Sequence, residues 1–147
     1  MKYKALHLQS GDINLFRELI KMFAEAFEQP GVENVPDAYL AQLLNNHNFI
    51  AYAALLNNTV IGGLTAYILP QYYGQYAEAY IYDIAVKSDF RGKGTGKMLL
   101  KALADFCRQN DIKTMFTEAH KSDRDAVKFY RSAGGEEEKV AHFNFYI

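Results

Sequence analysis

The chain has 147 residues, 50% of them hydrophobic and 22% charged, with a net charge of -1; this predicts one folded domain over residues 1–147 and excludes extensive disorder. The near-neutral charge disfavours a general nucleic-acid binder, and the single cysteine, Cys107, excludes an internal disulfide framework. Because the sequence contains neither an apolar run long enough to span a membrane nor a signal-peptide core at its start, we expect a cytoplasmic protein with no membrane partner.

The first half of the chain predicts a strand, two helices and a β-hairpin. "KALHL" can form the strand, and Asp12 can cap a helix whose apolar residues recur at helical spacing until the Pro-Gly pair at 30–31. A shorter helix is predicted from Asp37. The apolar segments of "NFIAYAALLNNTVIGGLTAYIL" predict two strands joined at Asn57 and Asn58, because asparagine tolerates the left-handed conformation of a tight hairpin.

The second half predicts a strand in "EAYIYDIAV", then a glycine-rich segment and an amphipathic helix with Cys107 on its apolar face. A strand in "TMFTEA", a helix in "DRDAVKFYRSAG" that Gly134 stops, and a final strand in "KVAHFNFYI" follow. This order predicts an α/β fold with a mixed, mostly antiparallel central sheet flanked by helices.

The segment "DFRGKGTGKMLL" indicates a phosphate site, because successive amides of a glycine loop and a helix N-terminus both favour an anion. A Walker A loop is excluded by spacing, since Arg91 stands where its first glycine belongs and Met98 replaces its Ser or Thr. The Rossmann fingerprint is also excluded, because its third glycine is missing when the count starts from Gly92 or from Gly94.

Arg-x-x-Gly-x-Gly between a strand and a helix resembles motif A of the GNAT acyltransferase superfamily, in which this loop holds the pyrophosphate of acetyl-CoA. The later pattern Asp-x-x-Ala-x-x-Phe-Tyr-x-x-x-Gly, at residues 123–134, matches a second motif of the family. One departure is Gly135, where the family usually carries phenylalanine. The resemblance extends from the first helix to the last strand.

The resemblance implies that the central strands splay apart and hold the cofactor, acetyl-CoA, between them. Backbone groups of "YIYDIAV" would bind its pantetheine arm, and an amide there would polarise the acetyl carbonyl. The residues that the resemblance assigns to acetyl-CoA are Ile84, Ala85, Val86, Arg91, Gly92, Lys93, Gly94, Thr95, Gly96, Lys97, Asp123, Ala126, Phe129 and Tyr130.

Two side chains are candidate acid-base groups for direct acetyl transfer without an acyl-enzyme. Asp83 is the candidate general base and Tyr130 the candidate general acid for the departing thiolate, whose basicity is comparable to that of a phenol. The alternatives are an Asp that caps a bulge and a tyrosine packed beneath the cofactor. On an ideal strand Asp83 faces away from Tyr80 and Tyr82, although a bulge would change this.

"YIYDIAV" and the tail "EEEKVAHFNF" resemble the aminoglycoside 3-N-acetyltransferases, which implies a polycationic amine substrate, antibiotic resistance and a homodimer. We expect the substrate to contact aromatic, acidic and histidine side chains, namely Glu78, Tyr80, Tyr82, Asp83, Glu118, His120, Asp123, Glu136, Glu137, Glu138 and His142. The histidines show no ligand spacing, so no metal site is predicted. An acetyltransferase of a polyamine, peptide or protein lysine and a non-catalytic acyl-CoA sensor remain open.

Overall fold

The computed structural model describes residues 2–147. The chain groups into two compact units, one reaching to Thr117 and the other covering Glu118–Ile147. The single domain over residues 1–147 stays a prediction.

The first unit contains a five-stranded sheet in the order β1-β2-β3-β4-β5. Its strands are β1 (Tyr3–His7), β2 (Phe49–Leu56), β3 (Thr59–Pro70), β4 (Ala77–Val86) and β5 (Ile112–Phe116). The pairs β1–β2, β2–β3 and β3–β4 are antiparallel, whereas β4 and β5 are parallel. Asn57 and Asn58 join β2 to β3 with positive φ angles of 50° and 65°, so the predicted hairpin turn is confirmed.

Three helices cover the two faces of this sheet. Helices α1 (Ile13–Phe27) and α2 (Asp37–Asn45) pack on one face, and α3 (Thr95–Gln109) packs on the other. The buried side chains of α1 and α3 recur every three to four residues, as their amphipathic sequences predicted. The mixed, mostly antiparallel sheet with flanking helices is therefore confirmed.

Gly63 lets α1 approach the sheet closely. A Cβ atom at this position would lie 2.2 Å from Leu19 Cδ1 and 2.7 Å from the Tyr52 carbonyl oxygen. The neighbouring helix α2 is tied to α1 by Arg17, whose guanidinium donates to the Asp37 carboxylate at 2.6 Å and to the Val35 carbonyl at 2.6 Å. These contacts hold α1 close to the sheet and α2 close to α1.

Two helix starts differ in their capping. Asp12 precedes α1 as predicted, but its carboxylate accepts from the Gln9 backbone N–H at 2.7 Å and makes no cap hydrogen bond to the helix. The second unit contains α4 (Arg124–Ser132), where the Asp123 carboxylate does cap, accepting from the Ala126 N–H at 3.1 Å. Gly134 ends this helix with a φ of +94°, as expected for a left-handed C-terminal cap.

The predicted final strand in "KVAHFNFYI" is wrong for the described chain, because the structure assigns no strand to residues 136–147. The alternation of apolar residues makes this segment compatible with a strand, but a strand also needs a hydrogen-bonded neighbour. Across residues 2–147, no helix combines the length and the apolar character needed to cross a membrane.

Candidate functional site

The glycine loop leads directly into α3. Gly92 and Gly94 have positive φ angles of 72° and 84°, which L-residues rarely adopt, and Gly94 is the N-cap of the helix. No other atom lies within 4 Å of a Cβ built on either glycine. Arg91 Nε donates to the Val86 carbonyl at 2.9 Å, which fastens the loop to the end of β4.

The first turn of α3 carries a polar atom that fits an anionic ligand. Thr95 is 3% exposed, and among the described residues its Oγ1 has no hydrogen-bond partner. A buried hydroxyl without a partner is costly, and this one lies at a helix N-terminus, where the helix dipole also favours negative charge. The loop therefore fits the pyrophosphate of acetyl-CoA. Lys93 Nζ donates to the Asp89 carbonyl at 2.9 Å and lies 5.5 Å from the Phe90 ring centroid, whereas Lys97 is exposed.

We expect Gly94→Val to weaken acetyl-CoA binding by about tenfold or more, because a branched side chain would project in front of the loop and valine would shift the backbone out of the left-handed conformation that orients its amides. Titration calorimetry measures the affinity. Gly11→Val is the matched control, because a Cβ there also meets open space. Unchanged affinity in a folded Gly94→Val protein would remove this loop from the cofactor site.

Strand β4 has one edge that is only partly paired. Strand β5 pairs with it as far as the partners Tyr80 and Phe116, after which Thr117 Oγ1 donates to the Ile81 carbonyl at 3.0 Å. Within residues 2–147, no strand pairs with this edge at residues 82–86. The half-exposed segment Ile84, Ala85 and Val86 therefore has backbone groups directed away from β3 for an extended ligand.

A bulge in β4 changes which face Asp83 occupies. Thr65 of β3 pairs with Asp83, but the next residue, Ala66, pairs with Ile81, so Tyr82 is the extra residue. In consequence Ile81 and Ile84 both pack on the α3 side. Asp83 thus lies on the α1–α2 face with Tyr80, and the opposite placement predicted for an ideal strand is wrong.

Asp83 is half-buried, and within residues 2–147 its carboxylate makes no hydrogen bond or ion pair. Burial raises the pKa of this carboxyl above its ordinary value, because desolvation disfavours the charged form. A raised pKa makes the ionised carboxylate a stronger base, and a partly buried charge without a partner favours a cationic ligand.

Aromatic rings surround this position on the same face. Tyr82 contacts Tyr67 and Tyr80 in nearly perpendicular arrangements, with ring centroids 5.6 and 6.1 Å apart, and Tyr80 stacks on Phe116 at 4.9 Å. Burial, followed by the electrostatic effects of Tyr82, Tyr39 and Asp83, raises the pKa of the Tyr67 phenol. Tyr39 and Tyr67 are not among the site residues predicted from sequence, although the alternation of side chains along β3 could have indicated the face of Tyr67.

The remaining predicted substrate residues have varied surroundings. Glu78 accepts from the Gln71 side chain at 3.4 Å on the sheet. In the C-terminal unit, the Glu118 carboxylate lies 3.0 Å from His142 Nδ1, and Glu137 pairs with Arg131, which lowers the pKa of Glu137. His120, Glu136 and Glu138 are exposed there.

The two candidate aromatic residues of the second motif, Phe129 and Tyr130, lie on α4 with ring centroids 5.3 Å apart. Tyr130 is partly buried, and its carbonyl accepts from the Gly135 N–H at 2.9 Å. A Cβ at position 135 would lie 3.0 Å from that carbonyl oxygen, so the glycine found here permits the close turn after α4. Across the described chain, no group of three His, Cys, Asp or Glu residues is arranged to hold a metal ion.

A glycine loop at a helix N-terminus beside a partly unpaired central strand fits an extended, phosphate-bearing ligand. The model of the acetyltransferase (GNAT) family matches residues 14–134, and the chain belongs to this family. Members of the family use acetyl-CoA, so acetyl-CoA is the cofactor that the loop is expected to bind.

Solved structures of aminoglycoside acetyltransferases from uncultured soil metagenomic samples resemble the whole chain. Meta-AAC0020 in complex with trehalose is 38% identical with a TM-score of 0.94, over 99% of this chain and 96% of that chain. Meta-AAC0020 in complex with sisomicin is 37% identical, with the same TM-score and coverage. HMB0005 is 32% identical with a TM-score of 0.94, over 100% of this chain and 99% of that chain.

A sequence relative of another kind is the [ribosomal protein bS18]-alanine N-acetyltransferase of Salmonella typhimurium. It is 35% identical over 69 residues, which is 47% of this chain and 46% of that protein. The chain thus spans about half the length of this relative.

Proposed function

We propose that this protein is an acetyl-CoA-dependent N-acetyltransferase that acetylates an amino group of an aminoglycoside. The observation that carries the proposal is the half-buried Asp83 carboxylate, without a partner among the described residues, beside the partly unpaired edge of β4. The similarity of the whole chain to meta-AAC0020, solved in complex with sisomicin, supports the substrate class. The 3-amine of deoxystreptamine, a role in resistance, a cytoplasmic location and a homodimer are the finer parts of this proposal.

When bound, acetyl-CoA supplies the acetyl group as a thioester. In the proposed reaction Asp83 accepts a proton from the substrate ammonium, directly or through water, so that the neutral nitrogen can attack the acetyl carbonyl carbon. Backbone N–H groups near Ile84 and Val86 donate to the carbonyl oxygen, an arrangement that typically lowers a barrier by about 3–4 kcal/mol. Tyr130 would donate its phenolic proton to the departing thiolate as the carbon–sulfur bond breaks. The second proton that the attacking nitrogen loses on forming the amide would pass to solvent, from which the tyrosinate would be reprotonated.

A peptide N-terminus is the second candidate acceptor, favoured by the 35% identity to a ribosomal-protein alanine acetyltransferase over part of the chain. A polyamine or a protein lysine would use the same amine chemistry, whereas a non-catalytic acyl-CoA sensor would bind acetyl-CoA without turnover. A carboxylate that binds cations favours the polycation over a peptide that offers a single amine.

The test is thiol release from acetyl-CoA with gentamicin, sisomicin, spermidine, a lysine peptide and an alanine N-terminal peptide in parallel, with the acetylated position read by NMR. We expect the aminoglycosides to have the highest kcat/KM, the product to carry acetyl at the 3-amine, and kcat/KM to fall as salt screens the cation. Much higher kcat/KM for spermidine or a peptide would refute the aminoglycoside proposal but not acetyl transfer. Acetyl-CoA binding without turnover of any amine would instead support the function of a non-catalytic acyl-CoA sensor.

A further inference from the structure

The Tyr82 ring is held in place although most of it is exposed. Its side chain is 62% exposed, yet it contacts the rings of both Tyr67 and Tyr80. A ring this exposed adds little to core packing, and its open surface is accessible to a ligand.

The bulge places this ring beside a carboxylate. Tyr82 is the extra residue of β4, and Asp83 directly follows it on the face that also carries Tyr67. Asp83 pairs with Thr65, and Tyr67 follows two residues later on the same face of β3, so the carboxyl and this phenol belong to neighbouring positions of the sheet. Among the described residues, the carboxylate has no cation of its own.

A half-buried carboxylate next to aromatic rings suits an alkylammonium group. The negative face of a tyrosine ring attracts a cation, and the carboxylate supplies the opposite charge and a hydrogen-bond acceptor. A neutral hydroxyl group gains much less from either partner. The carboxylate and the ring together therefore distinguish a cationic ammonium group from a neutral hydroxyl group.

We propose that Tyr82, with Tyr67 and Asp83, forms an ammonium-binding subsite, and that the Tyr82 ring is a specificity residue for cationic substrates. This inference rests on the proposed function, because it concerns the amine that the enzyme acetylates. In this subsite the face of the Tyr82 ring attracts the ammonium group electrostatically. The phenolic hydroxyl of Tyr82 is not needed for this role.

The test compares Tyr82→Phe, which keeps the ring, with Tyr82→Leu, which removes it. Cation–π contacts predict that Tyr82→Leu raises KM for sisomicin by about 2- to 30-fold and lowers kcat by a smaller factor, with Tyr82→Phe close to wild type. Tyr73→Leu is the matched control, since Tyr73 is 81% exposed on the loop between β3 and β4. Calorimetry with sisomicin and with the neutral sugar trehalose, in the absence of acetyl-CoA, measures binding separately from turnover.

Selective loss of sisomicin binding in Tyr82→Leu would support the subsite even if no amine were turned over, in which case the proposed function alone would fail. Equal losses in Tyr82→Phe and Tyr82→Leu would assign the effect to the hydroxyl and overturn the inference. Equal losses for sisomicin and trehalose, or no loss, would also overturn it. If Tyr82→Leu does not fold, pentafluorophenylalanine at position 82 keeps the ring shape and removes its negative face, with the same expected loss.

Discussion

Asp83→Asn is expected to slow acetylation of the amine by about 100- to 10,000-fold, with acetyl-CoA affinity close to that of the wild type. Asparagine has nearly the same shape as aspartate but cannot take the proton from the ammonium. Steady-state rates of thiol release and calorimetry with acetyl-CoA measure the two quantities. Wild-type turnover in this variant would leave Asp83 with a structural role.

The pH dependence of the wild type follows from the raised pKa of Asp83. The base must be ionised, so kcat/KM should fall as pH decreases through this raised pKa. This decrease at low pH, the acid limb of the pH–rate profile, should be absent in Asp83→Asn. A limb that persists in the variant would assign the titration to another group, such as the substrate amine.

The contribution of Asp83 to the free energy of unfolding should change with pH in the opposite direction from kcat/KM. A carboxyl whose pKa is higher in the folded state than in the unfolded state favours folding only where it is protonated, and that contribution is lost as pH rises through the folded pKa. Asp83→Asn should therefore raise the melting temperature at neutral pH, with the difference shrinking in acid. A fall in melting temperature at neutral pH would contradict this reasoning and make misfolding the cause of any lost activity.

Asp105→Asn is the matched control. Asp105 is a partly exposed aspartate on α3, hydrogen-bonded to Lys101 at 2.6 Å and paired with Arg108 at 2.7 Å, and these cations lower its pKa. The same chemical change there should leave turnover at the wild-type rate. A comparable loss in both variants would show that the assay responds to surface charge rather than to the site.

The sequence predicted local features more successfully than pairing between strands. Amphipathic spacing defines α1 and α3, and the consecutive asparagines define the hairpin, because each signal acts over a few adjacent residues. The bulge at Tyr82 has no such local signal, since two-against-one pairing depends on how β3 fits β4. The tail beyond Gly135 shows the same limit, because its alternation predicts a strand but supplies no partner.

This limit affected the candidate site directly. The glycine loop could be predicted from sequence because positive φ angles and a helix start have local signatures. The facing of Asp83, and with it the aromatic surroundings that include Tyr39 and Tyr67, depends on a one-residue change of register. A single bulge thus turns a carboxylate predicted on one face into a neighbour of the rings on the other.

Tyr130→Phe is expected to lower turnover by about 100- to 10,000-fold and to leave acetyl-CoA affinity nearly unchanged, because phenylalanine keeps the ring but cannot protonate the departing thiolate. The defect should shrink with acetyl thioesters of more acidic thiols, which leave without a proton, and this dependence is absent if the residue only packs against the cofactor. Tyr146→Phe, which changes a 93% exposed tyrosine of the same C-terminal unit, is the control. A loss of acetyl-CoA affinity that accounts for the whole defect, independent of the leaving thiol, would exclude Tyr130 as the general acid.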